Sequence, residues 1–98
     1  MTNITSNQNT GFQLTFENGL TISVQFGRGN YCSNRFKDND LLKQVADSAE
    51  ISIWDTDENA FVFNNNDVCL GWLTTDEIAT WIDKVKNAKS ILVLDKSE

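Results

Sequence analysis

"GFQLTFENGLTISVQF", residues 11–26, decides the fold. Phe12, Leu14 and Phe16 alternate with Gln13, Thr15 and Glu17. Leu20, Ile22, Val24 and Phe26 alternate with Thr21, Ser23 and Gln25. Alternation of period two puts each apolar set on one face of a strand. Asn18-Gly19 lies between the runs and tolerates the positive φ angles of a tight turn. The stretch predicts a β-hairpin, with one apolar face toward a core and a Thr, Ser and Gln face toward water.

Downstream, "EISIWD" (50–55) reads as a third strand with Ile51 and Ile53 on one face. "TDEN" (56–59) is a turn cluster, "AFVFN" (60–64) a fourth strand, "NNND" (64–67) a turn and "VCLGWL" (68–73) a fifth strand. The spacing suits an antiparallel meander. Period two also gives Trp72 the parity of Val68 and Leu70. "TTDEIATWIDKVKNAKS" (74–90) is a helix by three agreeing signals. Thr74 and Glu77 form a capping-box pattern. Asp76 and Glu77 sit at the positive end of the helix dipole, with Lys84, Lys86 and Lys89 near the negative end. Ile78, Trp81, Ile82 and Val85 make the buried stripe. "ILVL" (91–94) is either a last short strand or an apolar tail packed on the domain.

Between hairpin and third strand the reading is looser. "GRGNYCSNRF" (27–36) has turn composition. Asp38 or Asp40 would cap a short helix with Leu41, Leu42 and Val45 as its apolar stripe. The expected order is β-β-(α)-β-β-β-α. This is an α+β fold: an antiparallel sheet of about five strands packed against a C-terminal amphipathic helix.

The chain has 98 residues, enough for a single domain, and its apolar share of 40% suffices for one modest core. "MTNITSNQNT" (1–10) is polar and uncharged. It is expected to be a disordered, frayed tail outside a domain of residues 11–98, and it lacks the pattern of a signal peptide. No run approaches the roughly 18 apolar residues of a membrane helix, so a soluble protein is expected.

The formal charge is −6. From Asp38 to Glu77 there are ten acids and one base, Lys43. Such a chain repels phosphate backbones, which argues against nucleic acid, and it suits a basic partner. DNA mimicry would need a larger charge. With no histidine, the usual Ser-His-Asp and Cys-His arrangements are absent. Zinc would need four ligands, and two cysteines with no histidine do not supply them. "DTDEN" begins like a calcium loop but lacks its glycine and distal glutamate. "GRGNYC" lacks the third glycine of a dinucleotide fingerprint. The carboxylates fall in turns and at a helix start, solvated places that do not suggest a catalytic acid–base pair. Cys32 lies near Arg28 and Arg35, which favours a thiolate, although Tyr31 and Cys32 also fit as anchors of the loop on the sheet edge. No enzyme, cofactor or metal is expected.

Two binding features remain. Trp54 has the opposite parity from Ile51 and Ile53. It either covers the second face of the sheet or, exposed beside Asp55, Asp57 and Glu58, forms a partner-binding hot spot with an acidic rim. In the 27–37 loop, Gly27 and Gly29 free the backbone, while Arg28, Tyr31 and Arg35 offer anion donors and a stacking face.

"GFQLTFENGLTISVQFGRGNYCSN", "AEISIWD" and "GWLTTDEIATWI" together resemble a group of small uncharacterised proteins of tailed bacteriophages and prophages. The resemblance implies a phage setting and the host cytoplasm, and it brings no site residues. It fits a non-enzymatic accessory factor that binds and inhibits a host protein, of the anti-defence or anti-CRISPR kind. The alternative is a sponge holding an anionic nucleotide signal at Arg28, Tyr31 and Arg35. A homodimer is compatible with either.

Overall fold

A computed structural model describes residues 2–6, 10–26, 46–56, 60–61 and 69–89. The strands are β1 (Asn3–Ser6), β2 (Gly11–Thr15), β3 (Leu20–Gln25), β4 (Ser48–Asp55), β5 (Ala60–Phe61) and β6 (Leu70–Thr74), followed by helix α1 (Thr75–Asn87). Every pairing is antiparallel. The sheet runs β1-β2-β3-β4-β5, and β6 also pairs with β4. The α+β expectation holds: one antiparallel sheet packs against one C-terminal helix.

The hairpin forms in the register that its alternation demands. Phe12 pairs with Val24 and Leu14 with Ile22, so the apolar sets share a face. Its turn is wider than a two-residue one. Gly19 N–H donates to Phe16 O at 3.0 Å and Phe16 N–H to Leu20 O at 2.9 Å. Glu17 and Asn18 are therefore the central residues, and only Gly19 takes a positive φ, at 87°. This is a turn followed by a glycine bulge, the usual solution for a slightly longer hairpin loop.

β4 extends the same face. Ile22 pairs with Ile53 and Val24 with Ile51. Leu20, Ile22, Ile51 and Ile53 are fully buried, together with Val85 from α1. Each such burial stabilises by about 1.5–3 kcal/mol relative to exposure. Trp81 and Ala88 complete the helix side. The expected stripe divides: Trp81 and Val85 are buried, while Ile78 and Ile82 are half-buried.

Asn18 joins the hairpin to the helix. Its Nδ2 donates to Val85 O at 2.7 Å and to Ala88 O at 2.8 Å. Its Oδ1 accepts from Leu20 N–H at 3.0 Å. The last carbonyls of a helix have no intrahelical partners, and here a turn side chain supplies them.

Three expectations change. β6 pairs with β4 rather than with β5, so the last strands do not follow one another as a meander. Residues 3–6 belong to the sheet rather than to a frayed tail. Asn3 pairs with Thr15 and Ser6 with Phe12, because β2 offers a free edge and Ile4 and Thr5 are β-branched. All four side chains stay exposed. The second face of β3 is also not solvated: Thr21 is 2% and Ser23 5% exposed. Burial is tolerated because the hydroxyls are bonded. Thr21 Oγ1 lies 2.9 Å from Thr15 Oγ1 and 2.6 Å from Thr56 Oγ1, and Gln25 Nε2 donates to Ser23 Oγ at 2.7 Å. The short helix expected with Leu41, Leu42 and Val45, and the "ILVL" segment, lie outside the described residues.

Candidate functional site

The irregular part of the sheet is β6. Ala49 pairs with Leu73 and Ile51 with Leu70, with a register shift between them. One residue of β4, Glu50, therefore faces two of β6, Gly71 and Trp72. This is a β-bulge, and it resets the parity of the strand. Leu70 and Leu73 both turn toward the core; Leu73 is buried and Leu70 packs against it. Trp72 is expelled and stays 55% exposed. The parity expected of Leu70 and Trp72 in a regular strand does not survive the extra residue, and Val68 lies outside the described residues.

The backbone at Trp72 is unusual as well. Its φ is 61°, the one positive φ at a non-glycine among the described residues. The left-handed region brings Cβ close to a carbonyl oxygen, so for a bulky residue it costs about 1–2 kcal/mol. Strain of this kind persists only where surrounding structure imposes it, and it gathers at functional positions. The imposing structure is visible on both sides. Upstream, Leu70 is fixed opposite Ile51. Downstream, α1 starts at Thr75 under a complete capping box. Thr74 N–H donates to Glu77 Oε1 at 2.9 Å, and Glu77 N–H donates to Thr74 Oγ1 at 3.3 Å.

The surroundings are acidic. No Lys or Arg occurs between Lys43 and Lys84. Glu50 lies across the bulge, and Asp76 and Glu77 open the helix. A large indole face within a negative field suits a partner that brings apolar surface and positive charge.

The binding residues expected from sequence fall elsewhere. Trp54 is half-buried on the face opposite the core, paired with Thr21 and Phe61 in the backbone register. It lies on the second sheet face, as its parity predicts. Asp55 is half-buried at the end of β4. Asp57 and Glu58 lie outside the described residues, as do Arg28, Tyr31, Cys32 and Arg35. Cys69 is a half-buried thiol just before β6. Among the described residues, no group of three or more His, Cys, Asp or Glu is placed to hold a metal ion. Among them, no helix is long and apolar enough to cross a membrane.

Trp72 is the residue that sequence reasoning passed over. One signal was available: Gly71 interrupts a strand pattern, and an isolated glycine there marks a bulge. No protein-family model, curated protein or solved structure matches the chain.

Proposed function

We propose that this protein works by non-covalent binding to another protein, with Trp72 as the anchor, and that it is a phage accessory factor occupying a surface of a host protein. The carrying observation is Trp72 itself: a tryptophan left 55% exposed by a bulge that forces it to a positive φ of 61°. A sequence gains nothing for its own core from such a residue. It gains a rigid aromatic knob, and tryptophan is the side chain most enriched among residues that dominate binding energy. The acids near it point to a basic partner surface. The phage setting and the anti-defence role rest on the sequence resemblance, and an inhibitor that acts by occupancy needs no catalytic group.

The test compares wild type, Trp72→Ala and Trp54→Ala as bait in a bacterial host lysate, followed by affinity measurement on the recovered partner. Wild type and Trp54→Ala are expected to retain it. Trp72→Ala is expected to bind about 30-fold more weakly or worse, which corresponds to a hot spot of about 2 kcal/mol. Equal binding by Trp72→Ala would remove the knob from the function. Loss in Trp54→Ala alone would move the site to the end of β4, at Trp54 and Asp55.

A further inference from the structure

We infer that Asn18 is a modification site, deamidated through a cyclic imide, that stays closed while the last turn of α1 is docked and opens when that turn detaches. Asn18-Gly19 is the only Asn-Gly pair in the chain. Glycine has no Cβ, so its backbone nitrogen is the least hindered nucleophile that can follow an asparagine. Gly19 N attacks Cγ of Asn18 and forms the new N–Cγ bond of the imide. The proton of Gly19 N–H passes through water to Nδ2, the Cγ–Nδ2 bond breaks, and ammonia leaves. Water then adds to one of the two imide carbonyls. Breaking the bond from nitrogen to Cγ gives aspartate at position 18, and breaking the bond to the main-chain carbonyl gives isoaspartate. Solvent water is the only co-reactant.

The native contacts hold each reacting atom off this path. Nδ2, the leaving group, donates to Val85 O at 2.7 Å and Ala88 O at 2.8 Å, with Lys86 O at 3.4 Å. A departing amide nitrogen needs a proton, and carbonyls only accept. Gly19 N–H, the nucleophile, donates to Phe16 O at 3.0 Å. Asn18 Oδ1 accepts from Leu20 N–H at 3.0 Å, which fixes the side chain from its other side. The imide keeps neither Nδ2 nor the Gly19 hydrogen. Ring closure therefore forfeits the bonds to Val85, Ala88 and Phe16.

The catch sits on a helix end, where fraying begins. α1 stops at Asn87, and Ala88 N–H reaches Val85 O at 3.3 Å, a long bond. Release of that turn removes the acceptors that hold Nδ2. Conversion cannot then be undone by redocking. A carboxylate has no donor for Val85 O or Ala88 O, and it faces the negative end of the helix dipole. Isoaspartate also lengthens the backbone of the turn that sets the hairpin register. A brief opening is thus written into the chain as a permanent loosening.

The experiment incubates the full chain at neutral pH in native buffer and in urea. Peptide mass mapping that separates aspartate from isoaspartate follows position 18. Conversion in native buffer is expected to be about tenfold slower than in urea, or slower still. Lys86→Gly weakens the last turn from an exposed position. It is expected to speed conversion in native buffer by about threefold or more and to leave the rate in urea unchanged. Ile4→Ser, on the edge strand β1, is expected to change neither rate. Wild type converted in urea and returned to buffer is expected to melt below unconverted chain. Asn18→Gln, whose longer side chain closes an imide far more slowly, is expected to show no such loss after the same treatment. The inference is overturned if native and unfolded chains convert at one rate, or if Lys86→Gly converts no faster than wild type in native buffer. It is equally overturned if Ile4→Ser speeds conversion as much as Lys86→Gly, if the converted chain melts where the unconverted one does, or if Asn18→Gln loses as much.

Discussion

At its C-terminal end α1 is tied into the hairpin turn, with Asn18 Nδ2 on Val85 O at 2.7 Å and on Ala88 O at 2.8 Å. At its N-terminal end it follows directly on a bulge where Trp72 stands at φ 61°, more than half exposed. At the first end Asn18 bridges the turn and the last carbonyls of the helix. Helix carbonyls, turn amide and core side chains satisfy one another. The second end carries backbone strain and an unburied indole. A helix needs only one well-packed end to be held on a sheet. The contrast is that of a helix tied into the fold at one end and beside an exposed, strained indole at the other.

Substitutions at the tied end should therefore cost most. Asn18→Ala removes the donor from Ala88 O and leaves Val85 O with only the longer bond from Ala88 N–H at 3.3 Å, and it is expected to destabilise by about 1–3 kcal/mol in chemical denaturation. Asn18→Asp keeps the acceptor for Leu20 but places a carboxylate against the negative end of the helix, and it should cost at least as much. At the open end, Thr74→Ala removes the cap hydroxyl and is expected to cost about 1 kcal/mol. A larger loss for Thr74→Ala than for Asn18→Ala, measured under the same conditions, would break the comparison.

Trp72 sharpens the comparison from another direction. Trp72→Gly relieves the positive φ, whereas Trp72→Ala keeps it. The glycine variant is expected to be the more stable of the two by up to about 1 kcal/mol, although both lose the knob. A less stable glycine variant would mean that the bulge is not strained. The smallest effect belongs to the edge of the sheet. Ile4 is 78% exposed on β1, and Ile4→Ser is expected to change stability by less than about 0.5 kcal/mol.

The regular parts of the molecule were legible because their signals are local. Seven apolar positions alternating around Asn18-Gly19 define β2 and β3. Thr74, Glu77 and the stripe through Trp81 and Val85 define α1. Ile51 and Ile53 mark β4. What escaped depends on partners distant in sequence. Asn3–Ser6 has no apolar alternation and is a strand only because β2 has a free edge. Thr21 reads as solvent-facing, but Thr56, 35 residues away, gives its hydroxyl a partner. Trp72 escaped for a geometric reason. A parity argument assumes that each residue on one strand faces one on the next, and Gly71-Trp72 opposite Glu50 violates that count.

The Asn18 joint also bears on the order of folding events. Its hydrogen bonds span 67 and 70 residues of chain. The hairpin turn and the helix can each form from neighbours in sequence, but this contact requires both to be complete and docked. Loop closure on that scale comes late. The long-range bonds of Asn18 should thus be largely unmade in the transition state, with a low φ-value to which only the local bond from Leu20 N–H contributes early. Asn18→Ala would then leave the refolding rate almost unchanged and appear nearly in full as faster unfolding. One amide in a turn would set how long the native state lasts once formed, while having little say in how quickly it is reached.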